Sequence, residues 1–157
     1  MFKEGYALLS FKGDKTMHDK DCIFCKIIEG KIPSTKIYED DDVLAFLDIS
    51  QTTIGHALVV SKEHYPNFLS TPKEVMHKVM DVAQRIGQAE IATLGAKGIN
   101  VLTNVNKEAG QSVFHFHVHV IPRYVSDEGF RIEMKENPNL SELSLPALAD
   151  KIKVEIK

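Results

Sequence analysis

The sequence contains no apolar run long enough to span a membrane, no excess of basic residues and only two cysteines. A membrane-spanning helix needs about 20 consecutive apolar residues, so we expect no interaction with a membrane. Dedicated nucleic-acid-binding proteins usually carry a basic excess, whereas this chain has 19 Lys and Arg against 22 Asp and Glu, and we expect no nucleic-acid partner. Residues 1–21 also lack the apolar core and cleavage site of a signal peptide. We therefore predict a cytoplasmic protein.

The length of 157 residues and the apolar share of 43% are typical of one globular domain. Residues 1–20 are polar without a clear period, and we interpret them as an N-terminal extension. We expect the main folded unit over residues 21–125. Residues 126–157 are predicted to form a C-terminal tail of the same domain, with a short strand near residues 130–134 and a helix within residues 141–156.

Hydrophobic periodicity predicts an α+β fold. A short amphipathic helix is expected from Ile23 to Gly30, and a long one over residues 72–94, with Thr71 as its N-cap and Gly95 as its stop. Strands are expected over residues 36–39, 43–48, 57–60, 99–105 and 113–121. This order predicts a mostly antiparallel sheet packed against one long helix.

Three histidines alternate within the segment VFHFHVHVI, residues 113–121. Because side chains of a strand alternate between its faces, His115, His117 and His119 are predicted to share one face. The intervening apolar residues, among them Phe114 and Phe116, would then face the long helix. A neutral histidine is a competent nucleophile at pH 7. Alternate histidines of a strand can also bind zinc or lie on a hydrated surface, and the pattern by itself leaves that choice open.

The turn before the histidines carries a glycine and a hydroxyl. Gly110 lets the backbone approach a ligand closely, and consecutive N–H groups in such a turn form an anion cradle to which Ser112 can add its hydroxyl. An ordinary hairpin turn is the alternative interpretation. An anion cradle next to a nucleophile is typical of phosphoryl transfer.

Cys22 and Cys25 have the spacing C-x-x-C. In a reducing compartment this spacing indicates half of a metal site or a redox pair of thiols, not a structural disulfide.

Four motifs in this order resemble the histidine triad (HIT) superfamily: CIFCKIIEG at residues 22–30, FLDIS at 46–50, GHALVV at 55–60 and AGQSVFHFHVHVIPR at 109–123. The resemblance extends from about residue 21 to residue 124. It implies an α+β, HIT-like fold: a five-stranded, mainly antiparallel sheet with one long helix and a short N-terminal helix. It also implies a homodimer that joins two such sheets into a larger one.

The resemblance further implies a hydrolase or nucleotidyltransferase in which His117 attacks the α-phosphate of a purine nucleotide and no metal is required for the chemistry. The implied catalytic residues are His117, His119, His56 and Ser112. The implied nucleotide-binding residues are Ile23, Phe24, Ile27, Phe46 and Ile49 around the base, Asp48 at the ribose hydroxyls, and Asn104, Gly110, Gln111, Ser112, His117 and His119 around the phosphates. Core packing remains an alternative for Phe46 and Ile49, and a turn or cap for Asp48.

Members with the C-x-x-C spacing resemble the galactose-1-phosphate uridylyltransferase branch, which implies a structural zinc ion bound by Cys22, Cys25, His64 and His115. The implied substrate is a nucleoside phosphoramidate or a dinucleoside polyphosphate, and the motifs favour neither. A nucleotide-binding regulator with little turnover and a metal-dependent hydrolase with zinc at the triad are the alternative functions.

Overall fold

The structure of the protein is a computed structural model that describes residues 18–125, 128–139 and 144–156. Most of the expected N-terminal extension therefore lies outside the described residues. The elements within these ranges are α1 (Ile23–Ile28), β1 (Lys36–Glu39), β2 (Val43–Leu47), β3 (Ala57–Ser61), α2 (Lys73–Leu94), β4 (Gly98–Leu102), β5 (His117–Arg123) and α3 (Leu145–Lys153). Two short 3-10 helices, Phe68–Ser70 and Lys107–Ala109, precede α2 and β5.

The five strands form one antiparallel sheet in the order β1-β2-β3-β5-β4. The predicted α+β fold with a five-stranded sheet is therefore confirmed. The histidine-bearing strand β5 lies between β3 and β4, and His119 is opposite both Leu58 and Leu102. This central place holds the histidine backbone by hydrogen bonds on both sides.

Helix α2 covers one face of the sheet. Its buried residues Val79, Val82 and Ile86 follow a spacing of three and four, and they pack against Phe116 and Val118 from the other side of the core. Ile99 of β4 lies close to Gly87 of α2 and extends this contact. The helix ends at Gly95, which has a left-handed φ of 72°. The histidines are therefore left to the opposite face.

Helix α1 covers part of that opposite face. Phe24, Cys25 and Ile27 are buried there against strand residues that include Leu44 and Phe46. A six-residue helix gains little stability from its own hydrogen bonds, so this packing holds α1 in place.

The start of α2 differs from the prediction. Pro72, not Thr71, holds the N-cap position, and no side chain among the described residues caps the helix there. The hydroxyl of Thr71 instead donates to the carbonyl oxygen of Asn67, 2.8 Å away. The reason is the 3-10 helix just upstream, which uses Thr71 as its C-cap.

The histidine strand is shorter than predicted. β5 begins at His117, because the N–H of Phe116 donates to the carbonyl oxygen of Tyr65 at 2.6 Å and residues 113–116 bend away from the ladder. Phe114 is consequently 42% exposed, and its predicted packing against the long helix is wrong.

The tail contains a helix but no strand within its described residues. Residues 131–137 have no regular secondary structure, and Met134 near the expected strand is exposed, because this segment pairs with no neighbour in the sheet. α3 is capped by the hydroxyl of Ser144, and Pro146 lies in its first turn, where proline is tolerated. Residues 141–143 of the predicted helix lie outside the described residues.

None of the helices in the described part of the chain combines the length and the apolar character needed to cross a membrane.

Candidate active site and metal centre

His117 is fixed in one tautomer. Its Nδ1 lies 2.6 Å from the carbonyl oxygen of His115, and because a carbonyl only accepts hydrogen bonds, Nδ1 must carry the proton. The lone pair therefore sits on Nε2. Burial lowers the pKa of His117 from its ordinary value of 6.5, and the ring of Phe24 contacts it edge-on at 5.1 Å between centroids. His117 is thus a neutral base with one free nitrogen at pH 7.

His119 forms a pair with His56. Nδ1 of His119 and Nε2 of His56 are 3.0 Å apart, and the ring centroids are 5.2 Å apart, so both nitrogens lie close to the line between the rings. Burial lowers the pKa of His56 and lowers that of His119 to about 4. Two neutral rings facing each other in this way share one proton in an N–H···N hydrogen bond.

Asp48 lies beside this pair, with Oδ2 at 3.8 Å from Nδ1 of His56. The donor atoms of Asp48, His56 and His119 all lie within 4.8 Å of one another, so this cluster is a second group that could hold a metal ion. The two imidazole nitrogens point at each other, however, and not at a shared third point. The geometry favours a hydrogen-bonded pair over a metal site at the triad.

The loop before the histidines is held by the side chain of Gln111. Its amide nitrogen donates to the carbonyl oxygens of Pro66 and Val113 at 2.7 and 3.0 Å, and its amide oxygen accepts from the N–H of Asn106 at 2.9 Å. Gln111 is buried, whereas Ser112 is exposed. Among the described residues nothing is hydrogen-bonded to the hydroxyl or the N–H of Ser112, so both donors are available to a ligand.

Gly110 and Asn104 complete this loop. Gly110 has a φ of 85°, in the left-handed region that favours glycine, and its carbonyl oxygen lies 3.4 Å from Nδ2 of Asn104. The structure thus brings Asn104 to Gly110, two residues before Ser112.

The structure brings together three of the five residues assigned to the base. Phe24, Ile27 and Phe46 are buried in one cluster, and the rings of Phe24 and Phe46 meet edge-on at 5.7 Å. Ile23 is 45% exposed and Ile49 is 99% exposed, so neither is part of this cluster.

Two residues that the sequence analysis did not single out support the site. The Gln51 side chain donates to the carbonyl oxygens of Asp48 and His56 at 2.6 and 2.8 Å, which closes the loop between those two residues. The hydroxyl of Thr103 donates to the carbonyl oxygen of His117 at 2.7 Å. Neither belongs to a motif, so only their positions in space reveal them.

Cys22, Cys25, His64 and His115 form the second cluster. Nδ1 of His115 lies 3.4 Å from Sγ of Cys22 and 3.6 Å from Sγ of Cys25. Nδ1 of His64 lies 3.4 Å from Sγ of Cys25 and 3.2 Å from Nδ1 of His115. Tetrahedral zinc with its usual bond lengths places such atoms roughly 3.3–3.8 Å apart. The four side chains therefore fit a closed zinc site.

The surroundings of this cluster also suit a metal. Nε2 of His115 lies 2.7 Å from the carbonyl oxygen of Ser61, which requires the proton on Nε2 and leaves the lone pair of Nδ1 facing the sulfur atoms. The N–H of Asp19 donates to Sγ of Cys25 at 3.4 Å. Burial raises the pKa of the Cys25 thiol to about 11, so without a cation the thiol keeps its proton at pH 7.

The chain is similar to proteins of one family over most of its length. Residues 29–126 match the family model "HIT domain". "Protein hit" of Bacillus subtilis is 49% identical over 111 residues, which are 71% of this chain and 77% of that protein. The Arabidopsis thaliana protein "Adenylylsulfatase HINT3" is 39% identical over 116 residues, which are 74% of this chain and 59% of that protein.

Solved structures agree with this result. A crystal structure of a HIT family protein from Bacillus anthracis is 42% identical and has a TM-score of 0.81, covering 88% of this chain and 99% of that one. A Zn-bound histidine triad family protein from Mycobacterium smegmatis is 38% identical with a TM-score of 0.66, covering 86% of this chain and 98% of that one. With the family model, the curated relatives and these structures in agreement, the chain belongs to the HIT domain family.

Proposed function

We propose that this protein is a nucleotide hydrolase or nucleotidyltransferase that acts on an α-phosphate through a nucleotidyl intermediate on His117. The observation that carries the proposal is the hydrogen bond from Nδ1 of His117 to the carbonyl oxygen of His115. It leaves Nε2 as a neutral nucleophile, and the loop that ends at Ser112 lies shortly before His117 in the sequence. Covalent catalysis divides one difficult hydrolysis into two easier displacements.

The first step forms a bond between Nε2 of His117 and the α-phosphorus and breaks the bond to the leaving group, which takes up a proton from solvent. In the second step a water oxygen bonds to phosphorus, the N–P bond breaks, and the proton of the water returns to solvent. The nucleoside monophosphate then leaves, and His117 is neutral again.

The loop would bind the phosphate oxygens during both steps. The hydroxyl and N–H of Ser112 would donate to charge that develops on these oxygens, and the left-handed backbone of Gly110 would allow close approach. His119, supported by His56, would contact the same phosphate. Gln111 would shape the phosphate site without contacting the phosphate, because its side chain is hydrogen-bonded to the loop backbone.

The nucleoside would lie against the buried cluster around Phe24, Ile27 and Phe46, with Ile23 and Ile49 at the rim. Flat heterocycles suit such apolar surfaces, and the Asp48 carboxylate suits two neighbouring ribose hydroxyls. We infer a purine nucleoside phosphoramidate or a dinucleoside polyphosphate as the substrate. The name of the Arabidopsis thaliana relative adds adenylyl sulfate as a third compound to test.

The test is turnover of adenosine 5′-phosphoramidate, diadenosine polyphosphates and adenylyl sulfate by wild type, His117→Ala and His117→Gly. We expect both variants to lose at least roughly 10³-fold in the chemical step, and an adenylyl adduct to appear only on wild type. The control is His77→Ala, which removes an exposed histidine of α2. Normal turnover by His117→Ala would refute the mechanism, and nucleotide binding without turnover by wild type would favour a regulator.

We also propose that Cys22, Cys25, His64 and His115 hold a structural zinc ion that takes no part in the chemistry. The tetrahedral spacing of the four ligand atoms supports this proposal, and so does the name of the Zn-bound relative. Catalysis that persists after metal removal from folded protein would exclude the alternative, a metal-dependent hydrolase with zinc at the triad.

A homodimer is the remaining proposal about partners. β4 is an edge of the sheet, and its residue Val101 is exposed, as are Ile91 and Leu94 on α2. Pairing of two such edges would cover these residues. Sedimentation of wild type and Val101→Lys tests this, with a dimer expected only for wild type. The cytoplasmic location and the division at residues 21 and 125 stay predictions.

A further inference from the structure

We infer that the metal centre positions the nucleophile and the base pocket, so that metal and nucleotide bind cooperatively. The nucleotide in this inference is the one of the proposed function, and this part rests on that function. The link between the metal centre and the nucleophile does not depend on it. That link joins the metal centre to His117 through one residue, His115.

His115 uses both its ring and its backbone in this link. Its ring faces Sγ of Cys22 at 3.4 Å, and its carbonyl oxygen accepts the proton of Nδ1 of His117 at 2.6 Å. His115 lies outside β5, and among residues 112–116 only the N–H of Phe116 donates a backbone hydrogen bond within the described structure. Among the described residues, no ladder hydrogen bond of the sheet therefore holds the backbone of His115 in place. Its ring is held by two sets of contacts: Nε2 donates to the carbonyl oxygen of Ser61 in β3 at 2.7 Å, and Nδ1 faces the sulfur atoms of Cys22 and Cys25, which is the proposed metal ligation.

The second link runs through α1. Cys22 precedes this helix and Cys25 lies within it. Phe24, between the two cysteines, contacts the ring of His117 at 5.1 Å and that of Phe46 at 5.7 Å. Because α1 has only six residues, its position depends on what its side chains bind. A metal held by both cysteines would thus fix Phe24 against the nucleophile.

Both links lead to one consequence. The arrangement that the metal favours, with His115 and Phe24 in place, is the arrangement that a nucleotide needs. A metal and a nucleotide that favour the same arrangement raise each other's affinity by the same factor. We therefore assign positioning roles to His115 and Phe24, beyond metal ligation and core packing.

The first experiment observes His117 directly by ¹⁵N NMR of its imidazole in zinc-loaded and metal-free protein, with circular dichroism to monitor the helices. We expect one tautomer, with the proton on Nδ1, in the loaded form and a mixture of tautomers in the metal-free form. His77 serves as the internal control, because it is an exposed residue of α2, which covers the face of the sheet opposite to the histidine site. An unchanged His117 tautomer in folded, metal-free protein would overturn the first link.

The second experiment measures zinc affinity by competition with a chromogenic chelator, with and without saturating AMP. We expect AMP to raise the affinity at least about 5-fold, the lower end of usual coupling between sites. His77→Ala should keep this increase at the AMP concentration that just saturates wild type, and Asp48→Asn, which we expect to bind AMP more weakly, should show a smaller increase at that concentration. Equal zinc affinity with and without AMP, in protein that binds AMP, would overturn the coupling.

Two possible outcomes of these experiments require a different measurement. If removal of zinc unfolds the chain, zinc-loaded and cadmium-loaded forms replace the metal-free comparison, and we expect the His117 signals to differ between them because cadmium is larger. Identical signals would overturn the inference. If AMP does not bind the loaded protein, the proposed function fails, and the NMR result alone decides whether the metal positions His117.

Discussion

The amide oxygen of Gln111 accepts a hydrogen bond of 2.9 Å from the N–H of Asn106, and the N–H of Gln111 donates back to the carbonyl oxygen of Asn106 at 3.0 Å. Asn106 has a φ of 68°, a left-handed conformation that costs energy for most residues other than glycine. This reciprocal pair closes the loop of residues 106–111. Gln111 therefore holds the shape of the proposed phosphate site from inside the protein.

We predict that Gln111→Ala weakens both stability and substrate binding. The substitution removes three side-chain hydrogen bonds to backbone groups, each with a net contribution of about 1 kcal/mol, so the free energy of unfolding should fall by about 2–3 kcal/mol. Urea denaturation measures this loss. Gln84→Ala, at an exposed position of α2, is the matched control and should change stability little. Equal stability of the two variants would contradict the role of Gln111.

We predict that the rate of nucleotidyl transfer loses half its maximum only below pH 6.5, the ordinary pKa of histidine. Burial lowers the pKa of His117 below that value, so the nucleophile remains neutral where a free histidine would become protonated. The acid limb should therefore lie below pH 6.5. Single-turnover rates from about pH 5 to about pH 8 measure its position. Half-maximal activity at or above pH 6.5 would show that His117 is not held neutral by burial.

We predict that zinc binding releases protons and strengthens as the pH rises. The pKa of the Cys25 thiol is raised to about 11 by burial, so the thiol loses its proton only when a cation binds. Calorimetry in buffers of different ionisation enthalpy counts the released protons. Cys22→Ser should weaken zinc binding by more than about 100-fold, beyond the usual effect of changes outside the ligand shell. His77→Ala should bind normally, and one zinc per chain in Cys22→Ser would contradict the site.

Glu90 gives a pH dependence of stability. Both of its carboxylate oxygens are buried without a hydrogen-bond partner in the described structure, and burial raises its pKa from 4.5 to about 7. The protonated form is therefore favoured in the folded protein, and its stabilising effect is complete below pH 4.5 and is lost as the pH rises through 7.

We therefore predict that Glu90→Gln gains stability relative to wild type between pH 4.5 and 7, by at most about 1.4 kcal/mol per pH unit. Urea denaturation at several pH values measures this difference. Gln84→Ala, at an exposed position of α2 without a titratable group, is the control and should differ from wild type by the same amount at every pH. A difference between wild type and Glu90→Gln that does not change with pH would contradict the prediction.

The parts of the fold with strong local patterns could be predicted. α2 follows from apolar residues such as Val79, Val82 and Ile86 at helical spacing, and Gly95 marks its end because a left-handed residue there needs no side chain. The boundaries were less predictable. β5 starts four residues later than expected, because the N–H of Phe116 donates to the carbonyl oxygen of Tyr65, which is far away in sequence.

The candidate site, like the fold, was predictable from the sequence only in part. The alternation of His117 and His119 and the spacing of Cys22 and Cys25 are local, so the sequence reveals them. The contribution of Gln51 is not visible in any motif, because its partners Asp48 and His56 are known only once the loop is closed.

The sequence by itself determined the family, the strand that carries the histidines and the residue types available for chemistry, because these depend on neighbours a few positions apart. The family resemblance already implied that His115 joins Cys22 and Cys25, but only the tertiary structure decided that the carbonyl oxygen of His115 fixes the tautomer of His117. Tautomer, burial and pKa depend on atoms that the chain brings together from positions about ninety residues apart, and no local pattern encodes such contacts.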